Sequence, residues 1–155
     1  MTTTLVEITR ANWRAAMALE VLPEQQGWVA DSAPIAAVAL AKAYVRPEGF
    51  PVVPYAAYAG DAMVGMLNLS YEPGNPDNYW VFHFFIDRRW QGRGYGRAAL
   101  LALLALLRGA HPGCRTLWLT VHPDNRVAQR LYSALGFARR GSSADGELRY
   151  ALALG

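Results

Sequence analysis

The sequence predicts a single mixed α/β domain that spans residues 1–155. A chain of this length can bury one substantial hydrophobic core, and it falls within the usual size of one domain. Strand-like segments alternate with helix-like segments in the order β-α-α-β-β-β-α-β-α-β-β. A glycine cluster, Gln91 to Gly96, joins the most apolar strand to an Ala- and Leu-rich helix. These three observations indicate a sheet with helices packed against it.

The first half of the chain is predicted to form a strand, two helices and a hairpin. Thr9 is a candidate N-cap for the first helix, and Asp31 or Ser32 for the second. A proline and a glycine favour a loop between these helices, and Gly60-Asp61 is a strong hairpin signal. The predicted elements are a strand at 5–8, a helix at about 11–19, a loop at 21–28, a helix at 34–44, and hairpin strands at 55–59 and 63–71.

The second half contains the most apolar segments. The aromatic run from Tyr79 to Asp87 predicts a central strand, and the run from Arg97 to Arg108 predicts a buried helix. An amphipathic helix opens at Asp124 or Asn125 and ends before Gly136, since glycine commonly follows a helix C-terminus. The remaining predicted elements are a strand at 116–121 and a final hairpin of 137–141 with 147–154.

Composition narrows the class of protein. The longest apolar run, Ala98 to Leu107, has the length of a buried helix rather than of a membrane span. The first residues lack the layout of a signal peptide, and the lone Cys114 excludes an internal disulfide, so we expect a cytoplasmic protein with no membrane partner. The net charge of +3 is modest, and basic residues gather around the glycine cluster and Arg139-Arg140. This favours an anionic small molecule over nucleic acid, with an RNA-binding patch as the weaker alternative.

The glycine cluster is the strongest indication of a binding site. Glycines at the start of a helix expose backbone N–H groups, which attract anions together with the helix dipole. Arg93 and Arg97 add positive charge. The Gly-x-Gly-x-Gly spacing, with no acidic residue between Asp87 and Asp124, differs from the dinucleotide fingerprint, and the Gly-Lys-Ser/Thr of a Walker A loop is absent. The cluster predicts a phosphate or pyrophosphate site, and a turn that binds nothing is the alternative.

The residues around this cluster resemble a known family. Ile86 to Ala98 is similar to the acetyl-CoA loop of the GCN5-related N-acetyltransferases (GNAT). Gln91, Gly94 and Gly96 match that loop's Gln/Arg-x-x-Gly-x-Gly/Ala pattern. Arg88 departs from the pattern, because many members carry proline at that position.

A second block, Val121 to Phe137, resembles the same family's other signature. Asn125 opens a helix, Tyr132 lies two turns later on the same face, and Gly136-Phe137 closes the helix. An ordinary amphipathic helix would also explain the apolar positions of this block. Because the two blocks occur in the family's order, the resemblance is specific over residues 55–137.

The resemblance implies a fold, an acetyl donor and a cofactor site. The GNAT fold has a central mixed, mostly antiparallel sheet of about seven strands flanked by four helices. It is splayed between the strands that correspond to residues 79–87 and 116–121. Acetyl-CoA is then the acetyl donor, and no metal is required. The implied cofactor-binding residues are Phe85, Ile86, Gln91, Gly92, Arg93, Gly94, Tyr95, Gly96, Arg97, Asn125 and Ala128.

The resemblance also implies catalytic roles. Tyr132 takes the position of the general acid that protonates the leaving thiolate, and a neutral phenol suits that task at pH 7. A backbone N–H of Phe85 or Ile86 polarises the thioester carbonyl. His83 is the candidate base, with a buried structural histidine as the alternative; in a regular strand it shares a face with Phe85 and Asp87. The other candidate bases are Glu20, Glu24, Glu72, His122 and a water chain.

The N-terminal third resembles the bacterial spermine/spermidine acetyltransferases. Asn12-Trp13 and the segment 24–32 carry this similarity, and the segment 65–72, beyond the N-terminal third, shows it as well. A polyamine is a multiple cation, so its recognition requires carboxylates and aromatic faces. The candidate acceptor-binding residues are Glu20, Glu24, Trp28, Glu72 and Trp80, although each glutamate alone also fits a solvated surface charge.

The predicted function is transfer of an acetyl group to a primary amine of a small molecule, with a polyamine as the leading candidate. Three alternatives stay open: an aminoglycoside acceptor, a protein N-terminus or lysine, and a non-catalytic module that senses acyl-CoA. Family members are often dimers, so we also expect a homodimer.

Overall fold

The computed structural model describes residues 2–155. Within them the chain forms seven strands, five α-helices and one 3-10 helix. The strands are β1 (Thr4–Glu7), β2 (Val52–Ala59), β3 (Ala62–Tyr71), β4 (Tyr79–Ile86), β5 (Thr116–Val121), β6 (Ala138–Ser142) and β7 (Leu148–Ala153). The helices are α1 (Trp13–Met17), α2 (Gln26–Val29), α3 (Ile35–Val45), α4 (Tyr95–Ala110) and α5 (Arg126–Ala134), and the 3-10 helix is Pro23–Gln25.

The strands form one sheet in the order β1-β2-β3-β4-β5-β7-β6. Every neighbouring pair is antiparallel except β4 and β5, which run parallel. The predicted mixed, mostly antiparallel sheet is therefore confirmed. Five α-helices accompany it rather than the predicted four, because the segment between α1 and α3 is helical.

The sheet is splayed at its centre. β4 and β5 pair only where Tyr79–Val81 lies beside Leu117–Leu119. Beyond this short ladder the rest of β4, from Phe82 to Ile86, pairs with β3 on its other side but not with β5. The predicted separation of the two parallel strands is confirmed, and it leaves a gap that loops and helices from both faces can border.

A β-bulge interrupts β4 at His83. Asn68 of β3 lies opposite Phe82 and Met66 lies opposite Phe85, so two residues of β4 face one residue of β3. His83 has a φ of 52°, a left-handed conformation that is uncommon for a residue with a Cβ. The regular strand assumed in the sequence analysis is thus corrected, because alternation breaks between Phe82 and His83. The bulge, not the two-residue period, sets the direction of the imidazole.

Helices cover both faces of the sheet. On the face of the sheet covered by α1 to α3, called the α1–α3 face, a buried hydrophobic cluster fills the space between helices and strands. It includes Ala16, Leu19, Ile35, Ala36, Ala39, Met66 and Phe85. The α4–α5 face is closed by a larger cluster that includes Leu67, Leu69, Val81, Leu100, Leu103, Leu107, Leu117, Leu119 and Tyr132. Across residues 2–155, no helix combines the length and the apolar character needed to cross a bilayer.

The segment from Val21 to Trp28 was predicted as a loop, but it contains the 3-10 helix and α2. Pro23 begins the 3-10 helix, since its fixed φ suits a first helical position. The side-chain oxygen of Gln25 accepts the N–H of Leu22 at 3.0 Å, which satisfies a donor at the helix start. Proline thus initiates a helix here instead of interrupting one. As a consequence, Trp28 lies on α2 and not in a loop.

Two predicted helix caps also differ from the structure. α1 begins after Asn12 rather than at Thr9, although the Thr9 hydroxyl accepts the Ala11 N–H at 3.2 Å. α3 begins after Pro34 rather than at Asp31 or Ser32. Pro34 has an extended backbone, and its ring lacks the N–H that would need a cap.

Gly65 of β3 lies where the backbone of β4 comes closest. A Cβ at this position would overlap the carbonyl oxygen of Phe85 and would lie 2.8 Å from Cδ1 of Ile86. Because a backbone carbonyl cannot turn aside as a side chain can, we expect Gly65→Ala to lower the free energy of unfolding by about 1–3 kcal/mol. Urea denaturation measures this change. Gly109→Ala in α4, where a Cβ meets nothing within 4 Å, is the control and should be neutral or slightly stabilising.

Candidate active site

A cavity of about 460 Å³ opens in the gap between β4 and β5. Residues of both strands, of α2 and α3, of α5 and of the β6–β7 hairpin line it. Five of the predicted site residues line this cavity, namely Trp28, Trp80, His83, Asn125 and Tyr132. They come from distant parts of the sequence, and the splay of the sheet brings them together.

α5 is held at both ends by the residues predicted for that purpose. The side chain of Asn125 accepts the N–H of Ala128 at 3.2 Å, so Asn125 rather than Asp124 is the N-cap. Gly136 follows the C-cap with a φ of 98°, a conformation that glycine adopts without strain. The fixed helix sets the position of Tyr132, which lies two turns after its start.

Tyr132 lines the cavity as a buried phenol. The residue is only 4% exposed, and its ring packs against those of Phe137 and Tyr150, with centroids 5.8 and 6.1 Å away. Burial, and then the negative charge of Glu147, raise the pKa of Tyr132 far above its ordinary value. The phenol therefore remains protonated throughout the neutral pH range and can act as a proton donor.

His83 is a neutral imidazole with one ring nitrogen free. Nδ1 lies 2.7 Å from the carbonyl oxygen of Val29, which can only accept, so Nδ1 carries the proton. Nε2 is buried and has no hydrogen-bond partner among residues 2–155. Burial, and to a lesser extent the charge of Lys42, lower the pKa of His83. At neutral pH the Nε2 lone pair is therefore available to take a proton.

Aromatic rings form two sides of the cavity. The Trp80 ring stacks on Phe82 and on Trp118, at centroid distances of 5.8 and 5.5 Å. Trp28 of α2 stacks on His122, at 6.0 Å. The faces of such rings attract cations, so these walls suit a positively charged ligand.

The glycine cluster forms the N-terminus of α4. Gly92 and Gly94 have φ values of 74° and 86°, and Gly94 is the N-cap of the helix. Within the part of the chain that the structure describes, no acceptor bonds to the backbone N–H groups from Gly92 to Arg97. The guanidinium of Arg93 lies 5.3 Å from the ring centroid of Trp90, and Arg97 is exposed. Free N–H groups, the helix dipole and two cations give this terminus the features that attract anions.

Gln91 anchors this loop to the rest of the protein. Its side-chain nitrogen donates to the carbonyl of Ile86 at 3.0 Å and to the amide oxygen of Gln25 at 2.9 Å. Gln25 returns a hydrogen bond to Gln91 at 3.2 Å. The side chain of Gln91 thus connects the loop with the end of β4 and with the 3-10 helix.

Asp87 supports the same junction from inside the protein. Its carboxylate is fully buried and accepts the backbone N–H of Glu20 at 3.0 Å, the N–H of Arg89 at 2.9 Å and Nε of Arg89 at 2.8 Å. Burial alone would raise the pKa of Asp87, but these hydrogen bonds outweigh burial and hold that pKa below its ordinary value. The sequence analysis assigned Asp87 no role, and its position shows that it fixes the entry to the glycine cluster.

The other residues predicted to bind cofactor take different positions. Tyr95 packs edge-on against Trp90, with centroids 5.9 Å apart. Gly96 faces α5, since a Cβ there would lie 3.3 Å from Cδ2 of Leu131. The side chain of Phe85 is buried in the α1–α3 face and does not line the cavity.

Three glutamates predicted to bind the acceptor do not line the cavity. Glu20 is exposed and lies 3.8 Å from Arg88, and Glu24 is exposed on the 3-10 helix. Glu72 follows β3 and accepts hydrogen bonds from Asn75 within a turn. The sequence pattern identified them as available carboxylates, but the chain path directs them to other surfaces.

The β6–β7 hairpin and β5 form one wall of the cavity. This wall was not predicted from the sequence. Its residues are Thr120, Ser143, Asp145, Glu147 and Arg149. Burial, and then the charge of Asp145, raise the pKa of Glu147. The available signal was the polar loop 142–146, but only the pairing of β5 with β7 places this hairpin beside Tyr132.

A sheet splayed beside a glycine-rich helix terminus is consistent with an acyltransferase, and the similarity of the chain to known proteins shows that class. The chain belongs to the acetyltransferase (GNAT) family, whose family model matches residues 7–137.

The chain is similar to several named acetyltransferases. The chain is 29% identical over 145 residues to the spermine/spermidine N(1)-acetyltransferase of Bacillus subtilis (strain 168), covering 91% of each protein. It is similar to the crystal structure of spermidine N-acetyltransferase from Vibrio cholerae in complex with CoA and spermine, with a TM-score of 0.76, 14% identity and coverage of 98% and 95% of the two chains. It is similar too to AAC(6')-Ib in complex with ribostamycin and coenzyme A, with a TM-score of 0.77, 20% identity and coverage of 99% and 94%.

Proposed function

We propose that the chain transfers an acetyl group from acetyl-CoA to a primary amine of a small cationic molecule, with a polyamine as the leading acceptor. One observation carries the proposal: a protonated phenol, Tyr132, and a neutral imidazole, His83, line one cavity at the splay of the sheet. Transfer of an acyl group from sulfur to nitrogen requires an acid for the sulfur and a base for the nitrogen. The similarity to a spermine/spermidine acetyltransferase over most of the chain supports the acceptor class.

The donor fits the anion site at the start of α4. The free N–H groups from Gly92 to Arg97 would hold the pyrophosphate of coenzyme A, and Arg93 and Arg97 would add charge. Structures of the same fold bind CoA, which supports this assignment. Asn125 and Ala128, at the start of α5, would border the pantetheine arm where it enters the gap.

We expect Gly94→Val to weaken CoA binding by about tenfold or more, which corresponds to roughly 1.4 kcal/mol. A β-branched residue is strained at a φ of 86°, so the loop would rotate its N–H groups away from the anion. Calorimetric titration with CoA measures the dissociation constant. Gly74→Val, in a turn outside the cavity with a φ of 83°, introduces similar strain and should leave CoA affinity unchanged. Equal affinity of the Gly94 variant and the wild type would contradict the anion site.

A backbone N–H of β4 would polarise the thioester carbonyl, and the geometry favours Ile86 over Phe85. The N–H of Asp87 donates to Val64 of β3 at 2.8 Å. Because successive backbone N–H groups in a strand point to opposite sides, the N–H of Ile86 points away from β3 and towards the gap. A donor aimed at the developing oxyanion stabilises the transition state.

In the proposed acetyl transfer, His83 acts as the base and Tyr132 as the acid, and every proton is accounted for. Nε2 of His83 takes one proton from the acceptor's ammonium, and the neutral amine attacks the carbonyl carbon. The carbon–nitrogen bond forms and the carbon–sulfur bond breaks, while the hydroxyl of Tyr132 gives its proton to the sulfur. Tyr132 regains a proton from the new amide nitrogen through solvent, and His83 releases its proton to solvent, so one proton is produced for each acetyl group transferred.

A thiol-release assay with acetyl-CoA and a panel of amines tests the proposal. The panel contains spermidine, spermine, an aminoglycoside and a peptide with a free N-terminus. We expect turnover with spermidine or spermine at the highest kcat/KM. Turnover restricted to the aminoglycoside or the peptide would refute the polyamine acceptor, and CoA binding without turnover of any amine would refute the enzymatic proposal.

A further inference from the structure

Glu147 presents one carboxylate oxygen without a partner to the cavity, while its carboxylate also hydrogen-bonds the side chain of Thr120. It lies immediately before β7, lines the gap, and has its Oε2 atom buried without a hydrogen-bond partner among residues 2–155. Within the same residues it forms no ion pair with a lysine or an arginine. A buried carboxylate with a free oxygen is costly, because it loses hydration without gaining a partner. A cationic ligand would provide the missing partner.

The rest of the lining favours a cation at this position. Three carboxylates and two cationic side chains line the cavity, so with a neutral His83 its formal net charge is −1; these residues are Asp31, Asp145, Glu147, Lys42 and Arg149. Trp28, whose ring stacks on that of His122, presents aromatic surface to the same space. Aromatic faces beside a carboxylate are typical of sites that bind organic ammonium groups.

We propose that Glu147 binds the positively charged nitrogen of the acceptor through Oε2 and thereby selects cationic amines. This inference rests on the proposed function, because it assigns the acceptor-binding group of that reaction. Register supports the position: Val121 pairs with Leu148, so Glu147 emerges beside the end of β5, where Asn125 and Tyr132 also approach the gap. Glu147 thus takes the role that was predicted for Glu20, Glu24 and Glu72. The pairing of β7 with β5 brings Glu147 to the site.

Calorimetric titration of the CoA-saturated protein with spermidine tests the inference without requiring turnover. We expect Glu147→Gln to weaken spermidine binding at least tenfold, because the amide keeps the shape of the side chain but removes the charge of a buried pair. Glu147→Asp keeps the charge and should bind with intermediate affinity. Glu48→Gln, the same substitution at an exposed turn outside the cavity, should bind as the wild type does.

Steady-state kinetics separates this inference from the proposed function. With Glu147→Gln we expect the KM for spermidine to rise at least tenfold and to change by a larger factor than kcat, since the acid and the base remain in place and only the charge of Glu147 near Tyr132 is lost. Unchanged spermidine affinity, an equal loss of CoA affinity, or a fall in kcat at constant KM would each overturn the inference. A wild-type protein that binds no spermidine would also overturn it. Tight spermidine binding that depends on Glu147, with no turnover of any amine, would uphold the inference and refute the proposed function.

Discussion

Replacing Tyr132 by phenylalanine is expected to reduce kcat by a factor of about 10²–10⁴ at pH 7. The substitution removes only the hydroxyl, so the ring keeps its packing against Phe137 and Tyr150. The leaving thiolate then lacks the phenolic proton donor that burial keeps protonated. Rapid measurement of thiol release with saturating acetyl-CoA and amine gives kcat directly.

The control for this variant is Tyr44→Phe, at the end of α3, where the side chain is 91% exposed and lies outside the cavity. It should retain the wild-type rate. CoA affinity should be the same in both variants, because the glycine cluster is untouched. A Tyr132→Phe protein that kept its full kcat would show that another group or water protonates the sulfur.

Replacing His83 by glutamine is expected to lower kcat by a similar factor and to change its dependence on pH. In the wild type, the lowered pKa of His83 means that the imidazole is protonated, and therefore inactive as a base, only at acidic pH. The rate should rise as pH increases through that pKa, below the ordinary value of about 6.5, and then level off. Glutamine can still donate to the carbonyl of Val29, so the bulge is preserved while the basic nitrogen is lost.

The His83→Gln protein should therefore have a low kcat that does not rise with pH in the acidic range. His111→Gln is a matched control, because burial also lowers the pKa of His111 but its ring packs against Tyr71 and Tyr79, outside the cavity. The control should keep the wild-type pH profile of kcat. If the His83→Gln protein kept the wild-type kcat and still showed its rise with pH at acidic pH, His83 would be a structural histidine of the bulge and not the base.

Local signals predicted the cofactor side of the site more completely than the acceptor side. The glycine cluster and the capped helix α5 are encoded within short segments, where spacing and turn chemistry act directly on the backbone. The N-cap at Asn125 and the glycine at 136 are found where they were expected. The acceptor side is assembled from α2, β4, β5 and the β6–β7 hairpin, and no local pattern links these segments.

The bulge at His83 shows why regular periodicity was insufficient. The apolar run of β4 predicts a strand, but a residue with φ of 52° is a local departure that neighbouring strands and helices stabilise. The contact between His83 and Val29 depends on α2, which was predicted as a loop. The direction of the candidate base was therefore decided by packing between elements that are distant in the chain.

Sequence alone determined the class of fold, the order of the seven strands and of four of the five α-helices, the glycine cluster and the capped helix that carries Tyr132. These features follow from hydrophobic period and backbone chemistry, which act over a few residues. Tertiary structure decided which carboxylates line the cavity. Glu20, Glu24 and Glu72 lie elsewhere, whereas Glu147 reaches the gap because β7 pairs with β5. Strand pairing fixes such positions through hydrogen bonds between distant segments, and their partners cannot be identified from either segment by itself.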